Sequence, residues 1–332
     1  MDKKKLYLTL FGVAILLALF LFVDLKEVID ALLEIDLGYF VIAILITFVS
    51  VIVKAFRWKK VLGYRKQKIS FFESFKIVSA ANFLFLFMPN FAGDFYRGYA
   101  LKKLKNYRFI KGFSSAIFEK FMEFGIILAL GILWLIYYVV MKNAELQNGV
   151  IVLSIIFILL IITAFIVMRK PKIVYKIILM LEKKKLFFNI KKTKFGKKIK
   201  KEGRFFLSEL KGLSTDRNIL LTISTLTIVA WILHGVRFYF LALSLNMPLG
   251  LVSAVGIFFI SVNIGIISMT PGSVGSKEAV IVSLIVLHGF SASQGLSLAI
   301  LERIAFTVMC VFYAIFFYTL NAKLHFSKEK LS

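Results

Sequence analysis

The chain has 332 residues, 60% of them hydrophobic and 18% charged, and its mean hydropathy is +0.86. This composition excludes an ordinary soluble domain and indicates a polytopic membrane protein. A net charge of +25 would suggest nucleic acid as a partner of a soluble protein. Here the excess is concentrated in loops between apolar segments, where it marks the cytoplasmic side and attracts anionic lipid headgroups, so no nucleic acid is expected.

Six apolar segments are each long enough to cross a hydrocarbon core of about 30 Å as a helix. They are residues 6–23, 39–56, 113–141, 150–168, 219–241 and 297–320. Two further apolar stretches, 71–88 and 251–269, end shortly before prolines, and each is followed by a glycine-containing turn and a second helix-like arm. We therefore predict an all-α membrane protein with six transmembrane crossings and two re-entrant helical hairpins.

The charges of the loops predict the orientation of these segments. Four segments are rich in Lys and Arg and are therefore predicted to be cytoplasmic. They are the N-terminus, the loop that contains Arg57, the basic loop 169–218 and the tail 321–332. The connection 24–38 is acidic and is expected outside. Both termini of this multi-pass cell-membrane protein are therefore predicted to be cytoplasmic. The basic loop is interpreted as a topology signal, with an anionic-lipid or partner site as the alternative.

Polar and helix-breaking residues recur in the same order in the two halves of the chain. The pairs are Arg57 and Arg237, Asn82 and Asn263, Pro89 and Pro271, Gly93 and Gly275, Glu119 and Glu302, and Lys120 and Arg303. The offset between the members of a pair is almost constant and increases only slightly along the chain, as expected of a duplicated unit. Because the loop charges send the two units through the membrane in opposite directions, we predict an inverted repeat of residues 1–141 and 142–320.

The first hairpin combines a turn with a helix start. Pro89 ends one arm, Gly93 permits a tight return, and Asp94 is a candidate N-cap of the second arm. Arg97 falls in the first turn of that arm. Backbone N–H groups at such a helix start favour anion binding.

The second hairpin has a different turn. Gly272 and Gly275 supply its flexibility, and Ser276 takes the place of the candidate cap before Lys277 and Glu278. Its GSVGSK string lacks the G-x-x-x-x-G-K-[ST] spacing of a nucleotide-binding loop, so no nucleotide site is expected.

Two arginines lie at or within apolar segments. Arg57 ends its segment, where snorkelling to the interface is one explanation and a binding role is the other. Arg237 lies deeper, where an unpaired charge costs about 3 kcal/mol or more, so it is expected to pair with Glu302 or Glu278.

Two adjacent pairs of opposite charges, Glu119 with Lys120 and Glu302 with Arg303, also lie inside predicted crossings. Neighbouring residues of a helix point about 100° apart, so the members of each pair are expected to reach different partners or a wet cavity.

Cysteine and histidine do not predict a metal, a cofactor or a catalytic site. Cys310 is the only cysteine of the chain, and His234, His288 and His325 lack ligand-like spacing. The histidines are interpreted as packing or interfacial residues.

Two motifs carry a family resemblance. MPNFAGDFYRG at 88–98 and TPGSVGSKEA at 270–279 resemble P-x-x-x-G-[DE]-x-x-R and P-G-G-x-G-x-x-E in a flippase-like membrane family. That family also supplies the N-terminal membrane domain of bacterial lysyl-phosphatidylglycerol synthases. Asp94, Arg97 and Glu278 fall at its polar positions, whereas Ser273 stands where a second glycine is usual. The resemblance implies a lipid-translocating fold with two re-entrant hairpins.

The leading hypothesis is therefore a non-enzymatic flippase or transporter for an anionic lipid or a polyprenyl-phosphate-linked headgroup. The predicted headgroup-binding residues are Arg57, Asn82, Asp94, Arg97, Glu119, Lys120, Arg237, Asn263, Ser276, Lys277, Glu278, Glu302 and Arg303. The alternatives are a membrane scaffold for a partner synthase and an integral-membrane transferase acting on a lipid-linked substrate. A homo-oligomer is also compatible with the sequence.

Overall fold

The computed structural model describes residues 23–84, 92–142, 194–268 and 273–329, together with four isolated positions between 152 and 159. All regular elements in these ranges are helices, which confirms the all-α prediction for them. In chain order they are α1 Leu25–Leu33, α2 Leu37–Tyr64, α3 Phe71–Leu84, α4 Ala92–Lys105, α5 Phe109–Lys142, α6 Lys194–Thr215, α7 Arg217–Ser244, α8 Leu251–Ile267, α9 Ser276–Leu287 and α10 Ala292–Glu329.

Four of these helices are long and apolar enough to cross a membrane, namely α2, α5, α7 and the first 31 residues of α10. They confirm helices at four of the predicted crossings. The predicted crossings at 6–23 and 150–168 lie outside the described residues, apart from Val23 and the isolated positions. Helix α10 continues to Glu329, beyond the predicted end of its segment at residue 320.

The acidic connection 24–38 contains helix α1 and is therefore not simply the loop that the sequence predicts. Its N-cap is Asp24, whose carboxylate accepts hydrogen bonds from the backbone of Lys26 and Glu27. Val28 of the same helix is buried. Helix α1 also packs on α10, where the backbone N–H of Asp24 donates a 3.2 Å hydrogen bond to the Ser293 hydroxyl.

Helices α2 and α7 pack against each other in antiparallel orientation along their whole length. This follows from contacts at both ends and in the middle, because partners earlier in α2 lie later in α7. The contacts join Asp36 to Ser244, Ser50 to His234, Arg57 to Thr227 and Tyr64 to Asp216. Each of these two helices belongs to one unit of the predicted repeat.

One short helix of each predicted unit packs on the long helix of the other unit. Helix α3 packs on α10, and its counterpart α8 packs on α5. Within each unit, α4 packs on α5 and α9 packs on α10. As a result α10 contributes to three hydrophobic clusters, its first half to two of them and its second half to the third.

Glycines allow the short helices α4 and α9 to approach the long helices closely. A Cβ at Gly112 of α5 would lie 2.9 Å from the Cα of Gly98 in α4. A Cβ at Gly295 of α10 would lie 2.9 Å from the Cα of Val282 in α9. Small residues at helix interfaces permit this kind of backbone approach in membrane proteins.

The described part of the basic loop 169–218 is helix α6, which is docked by ion pairs. Arg65 binds Glu209 with an N–O distance of 2.6 Å, and Arg108 binds Glu202 at 2.7 Å. The guanidinium of Arg108 also lies 4.1 Å from the ring centre of Phe205. This helix therefore packs on α2 and on the connection between α4 and α5.

Candidate functional site

A cavity of about 220 Å³ lies where α2 and α7 meet α3, α4, α5 and α10. Its wall contains polar and charged side chains from both units of the predicted repeat. The predicted site residues that line it are Arg57, Asn82, Asp94, Arg97, Glu119, Lys120 and Arg237. Because these residues come from five different helices, their convergence depends on the packing of the whole bundle.

The first ionic cluster is centred on Glu119 of α5. Its carboxylate accepts a 3.0 Å hydrogen bond from Arg57 Nε and a short one from Arg97. Arg57 is 2% exposed and Glu119 is 1% exposed. The snorkelling explanation for Arg57 is therefore wrong, since a buried ion pair and not the interface satisfies its charge.

Further contacts hold the two arginines of this cluster in place. Arg57 binds Glu123 at 2.6 Å and donates a 2.8 Å hydrogen bond to the Thr227 hydroxyl on α7. The guanidinium of Arg97 lies 4.5 Å from the ring centre of Trp58, a cation–π contact. The arginine of α2 is therefore tied directly to the opposite unit.

Asp94 belongs to the same cluster and does not have its predicted position at the helix start. Helix α4 begins at Ala92, so Asp94 lies inside the first turn. Its carboxylate lies 3.6 Å from Arg97 and 3.6 Å from Lys120. Gly93, predicted to lie in the turn, is the second residue of α4.

The second ionic cluster is centred on Glu302 of α10. Its carboxylate binds Arg237 at 2.5 Å and Lys277 at 2.8 Å. This confirms one of the two partners predicted for Arg237. The neighbouring Arg303 points elsewhere and binds Glu278, so adjacent charges reach different partners, as predicted.

The start of α9 also differs from the prediction. The N-cap is Gly275, with φ 81°, and its backbone N–H donates a 2.8 Å hydrogen bond to the Glu278 carboxylate. Ser276, the predicted cap, is the first residue of the helix, and its hydroxyl lies 2.7 Å from that of Ser268. A positive φ at Gly275 suits a residue without a side chain.

Ser273 adopts a φ of 56°, in the left-handed region that favours glycine. Its hydroxyl donates a 3.0 Å hydrogen bond to the carbonyl of Gly265 in α8. The serine therefore accommodates a glycine-like backbone conformation and links the turn to the preceding arm. The predicted turn residues Pro89, Pro271 and Gly272 lie outside the described residues.

The two repeated asparagines have different surroundings. Asn82 lines the cavity. Asn263 is fully buried, and its amide donates a 3.1 Å hydrogen bond to the carbonyl of Ile127. Its position therefore favours a role in fastening α8 to α5.

Three residues that line the cavity, Lys54, Trp231 and His234, were not predicted from the sequence as site residues. Lys54 Nζ lies 3.1 Å from His234 Nε2 and 5.1 Å from the ring centre of Trp231. The signal was present, because Lys54 and His234 have the same separation along the chain as Arg57 and Arg237.

The cavity lining carries an excess of positive charge. Its described residues include five cations, with Lys54 in addition to the four arginines and lysines already predicted, and three carboxylates, Asp94, Glu119 and Glu123. Lys54 has no carboxylate within 4.0 Å among the described residues. Two positive charges are therefore left over.

Several buried donors at this cavity also lack a hydrogen-bond partner within the described part of the chain. They are Arg97 Nε, Arg237 Nε and Trp231 Nε1. Buried donors without acceptors are costly, and a bound anion would supply the acceptors. The described ranges contain no group of three or more His, Cys, Asp or Glu residues suited to a metal ion.

Residues 9–314 match the family model described as the lysylphosphatidylglycerol synthase TM region. The chain is 23% identical over 309 residues to a UPF0104 membrane protein of Pyrococcus horikoshii, covering 91% of this chain and 92% of the relative. It is also similar to two UPF0104 membrane proteins of Methanocaldococcus jannaschii. One of these is 21% identical over 310 residues, covering 91% of this chain and 90% of the relative. The other is 26% identical over 240 residues, covering 70% of this chain and 91% of the relative.

Proposed function

We propose a lipid-translocating function for this chain, which belongs to the family of the lysylphosphatidylglycerol synthase transmembrane region. The transported group is the headgroup of an anionic or phosphate-bearing lipid. The observation that carries this proposal is the cavity between α2 and α7. Within the described ranges its lining has an excess of two positive charges and buried donors without a hydrogen-bond partner. The acyl or prenyl chains of the lipid stay in the bilayer while the headgroup passes through the cavity.

The mechanism we propose depends on residues 1–141 and 142–320 acting as an inverted repeat. Two observations support such a repeat, namely the antiparallel packing of α2 on α7 and the exchange of α3 and α8 between the units. Inverted units that rock about a shared central site are a common build of secondary transporters. In this mechanism, the hairpins α3–α4 and α8–α9 open the cavity alternately to the two sides.

Reconstitution tests the proposal directly. The full-length protein is placed in phosphatidylcholine liposomes with a trace of fluorescent anionic or zwitterionic lipid, and a membrane-impermeant quencher reports the lipid that changes leaflet. We expect protein-dependent movement of the anionic lipid, strongly reduced by Arg97→Met. The matched control is Lys60→Met, which removes an exposed lysine of α2 that does not line the cavity.

Movement of the anionic lipid no faster than in protein-free liposomes would overturn the proposal. It would then favour the scaffold, which needs no lipid movement, or the transferase, which would modify the lipid chemically. Mass spectrometry of the recovered lipid separates these two alternatives.

The proposed topology has its own test. In a Cys310→Ser background, single cysteines replace the exposed Lys66, after α2, and the exposed Ser291, before α10. With both termini cytoplasmic, an impermeant thiol reagent added outside cells labels the cysteine at 291 and not the one at 66. Labelling of both or of neither contradicts the proposed orientation.

A further inference from the structure

We infer that the headgroup taken by the cavity is a phosphate monoester, and that Lys54 makes the site prefer it to a phosphodiester. This inference rests on the proposed function and narrows its substrate class. A phosphate monoester carries a charge between about −1.5 and −2 at pH 7, whereas a phosphodiester carries about −1.

The first argument is the balance of charge. Among the described residues, five cations and three carboxylates line the cavity, so the net charge of this lining is +2. The balance stays the same when the partners of Arg237 are included, because Glu302 and Lys277 add one charge of each sign. A dianion neutralises this excess, and a monoanion leaves one buried positive charge uncompensated.

The second argument is the distribution of donors. Arg97 and Arg237 each have a buried Nε without an acceptor among the described residues, and they come from different units of the chain. Lys54 adds an ammonium group that has no carboxylate within 4.0 Å in the same ranges. The terminal phosphate of a monoester has three oxygens that accept hydrogen bonds, and a diester has two free oxygens.

The third argument is size. The cavity volume of about 220 Å³ is smaller than the roughly 300–1,000 Å³ of sites for drug-sized ligands. A phosphate group fits this space more readily than a phosphate bearing a saccharide. The volume therefore disfavours the polyprenyl-linked saccharide considered in the sequence hypothesis and favours a small, highly charged headgroup.

Lys54 is the specificity residue in this arrangement. The other four cations of the lining each have a carboxylate within 4.0 Å, and some of these carboxylates are shared between two cations. The Lys54 ammonium instead faces the His234 imidazole at 3.1 Å and the Trp231 ring. It is therefore available to a ligand, and its removal lowers the excess charge from two to one.

The test compares three lipids that differ mainly in headgroup charge. Phosphatidic acid is the monoester, phosphatidylmethanol is a diester of almost the same size, and phosphatidylcholine has no net charge. Binding to the purified full-length protein in detergent is followed through thermal stabilisation, and transport is followed in liposomes. We expect phosphatidic acid to bind about tenfold more tightly than phosphatidylmethanol, as one additional charge at a partly solvated site predicts.

Substitution of the specificity residue sharpens the test. Lys54→Met is expected to bring phosphatidic acid to within about threefold of phosphatidylmethanol, since the excess charge is then one. The control Lys60→Met, on the exposed side of the same helix, retains the full preference. Unchanged selectivity in Lys54→Met would overturn the role of Lys54, even in a fully folded variant.

The other outcomes separate this inference from the proposed function. Equal binding and transport of phosphatidic acid and phosphatidylmethanol, both above phosphatidylcholine, overturns the monoester preference and leaves lipid translocation standing. No preference for either anionic lipid overturns both. Inorganic phosphate that binds as tightly as phosphatidic acid, with no lipid transported, identifies a soluble phosphate as the ligand and overturns the lipid assignment.

Discussion

The two ionic clusters have the same plan and different surroundings. In each, a buried glutamate of a long helix, Glu119 or Glu302, binds an arginine from the central α2–α7 pair and a cation from a short helix. The short-helix cations occupy different positions in the proposed repeat, since Arg97 is the sixth residue of α4 and Lys277 the second of α9. The two clusters therefore make a similar ionic connection with residues at different positions.

The difference between the clusters lies in their access to the cavity. Glu119, Arg57 and Arg97 all line it, whereas only Arg237 of the second cluster does. Lys277 instead lies 5.5 Å from the ring centre of Phe258 in α8. We therefore assign ligand contact mainly to the first cluster and structural support mainly to the second.

The largest expected effect is on stability and is common to both clusters. Glu119→Ala and Glu302→Ala each remove a buried carboxylate that binds two cations, and each is expected to lower the free energy of unfolding by about 3–5 kcal/mol. Denaturant unfolding of the purified protein measures this loss. Glu34→Ala, at an exposed position, is the control and is expected to change it by less than about 0.5 kcal/mol. A loss at only one of the two glutamates would show that the clusters are not structurally equivalent.

The next effect concerns the close helix contacts of the two units. Gly112→Ala and Gly295→Ala bring a methyl group to within 2.9 Å of backbone carbon and are expected to cost about 1–3 kcal/mol each by overpacking. The control is Gly125→Ala on α5, where a Cβ meets nothing within 4 Å. That substitution is expected to stabilise the helix by up to about 1 kcal/mol. Thermal unfolding of the three variants compares them, and a neutral Gly112→Ala would contradict the tight packing of α4 on α5.

The assignment of ligand contact predicts an unequal effect on transport. Arg97→Met is expected to slow lipid movement about tenfold, which corresponds to about 1.4 kcal/mol and to the loss of one charge-assisted hydrogen bond. Lys277→Met is expected to slow it by less than about threefold, since Lys277 does not line the cavity. Both rates are normalised to folded protein in the same liposome assay. Equal losses would mean that the two clusters contact the headgroup equally.

The smallest effect distinguishes two threonines at corresponding positions of the proposed repeat. The Thr227 hydroxyl accepts a hydrogen bond from Arg57, whereas the Thr47 hydroxyl donates to the carbonyl of Ala43 in its own helix. Thr227→Val is expected to cost about 1 kcal/mol of stability, and Thr47→Val less than about 0.5 kcal/mol, both measured by denaturant unfolding. Equal losses would show that Thr47 also supports an arginine, and so would make the two units more alike.

The features that could be predicted from the sequence are those for which the residue type allows only one low-energy arrangement. A charge inside an apolar segment is expensive without a partner, so Arg237 required an acid, and Glu302 is that acid. Proline followed closely by glycine disfavours continuation of a helix, so the separate arms α3, α4, α8 and α9 were predictable. The nearly constant offset between the repeated residues then related the units to each other.

Features set by tertiary contacts were not predictable in this way. An aspartate near a helix start suggests a cap, but Asp94 lies among Arg97 and Lys120, and its contacts with these cations determine its environment. Lys54 and His234 were not predicted as site residues because these corresponding positions of the proposed repeat hold two different residue types. Neither residue is unusual by itself, and only the packing of α2 on α7 brings them together.

The contact between Lys54 and His234 has a consequence for how such a chain could arise. These residues occupy corresponding positions of the proposed repeat, and they touch each other. At the axis of a symmetric homodimer, a residue meets its own copy, so a lysine there would face a second lysine and be repelled. When both copies belong to one chain, the two units can have different residues at the axis. A lysine can therefore contact a histidine at the axis of a fused pair of units, whereas two identical subunits would place two identical residues there.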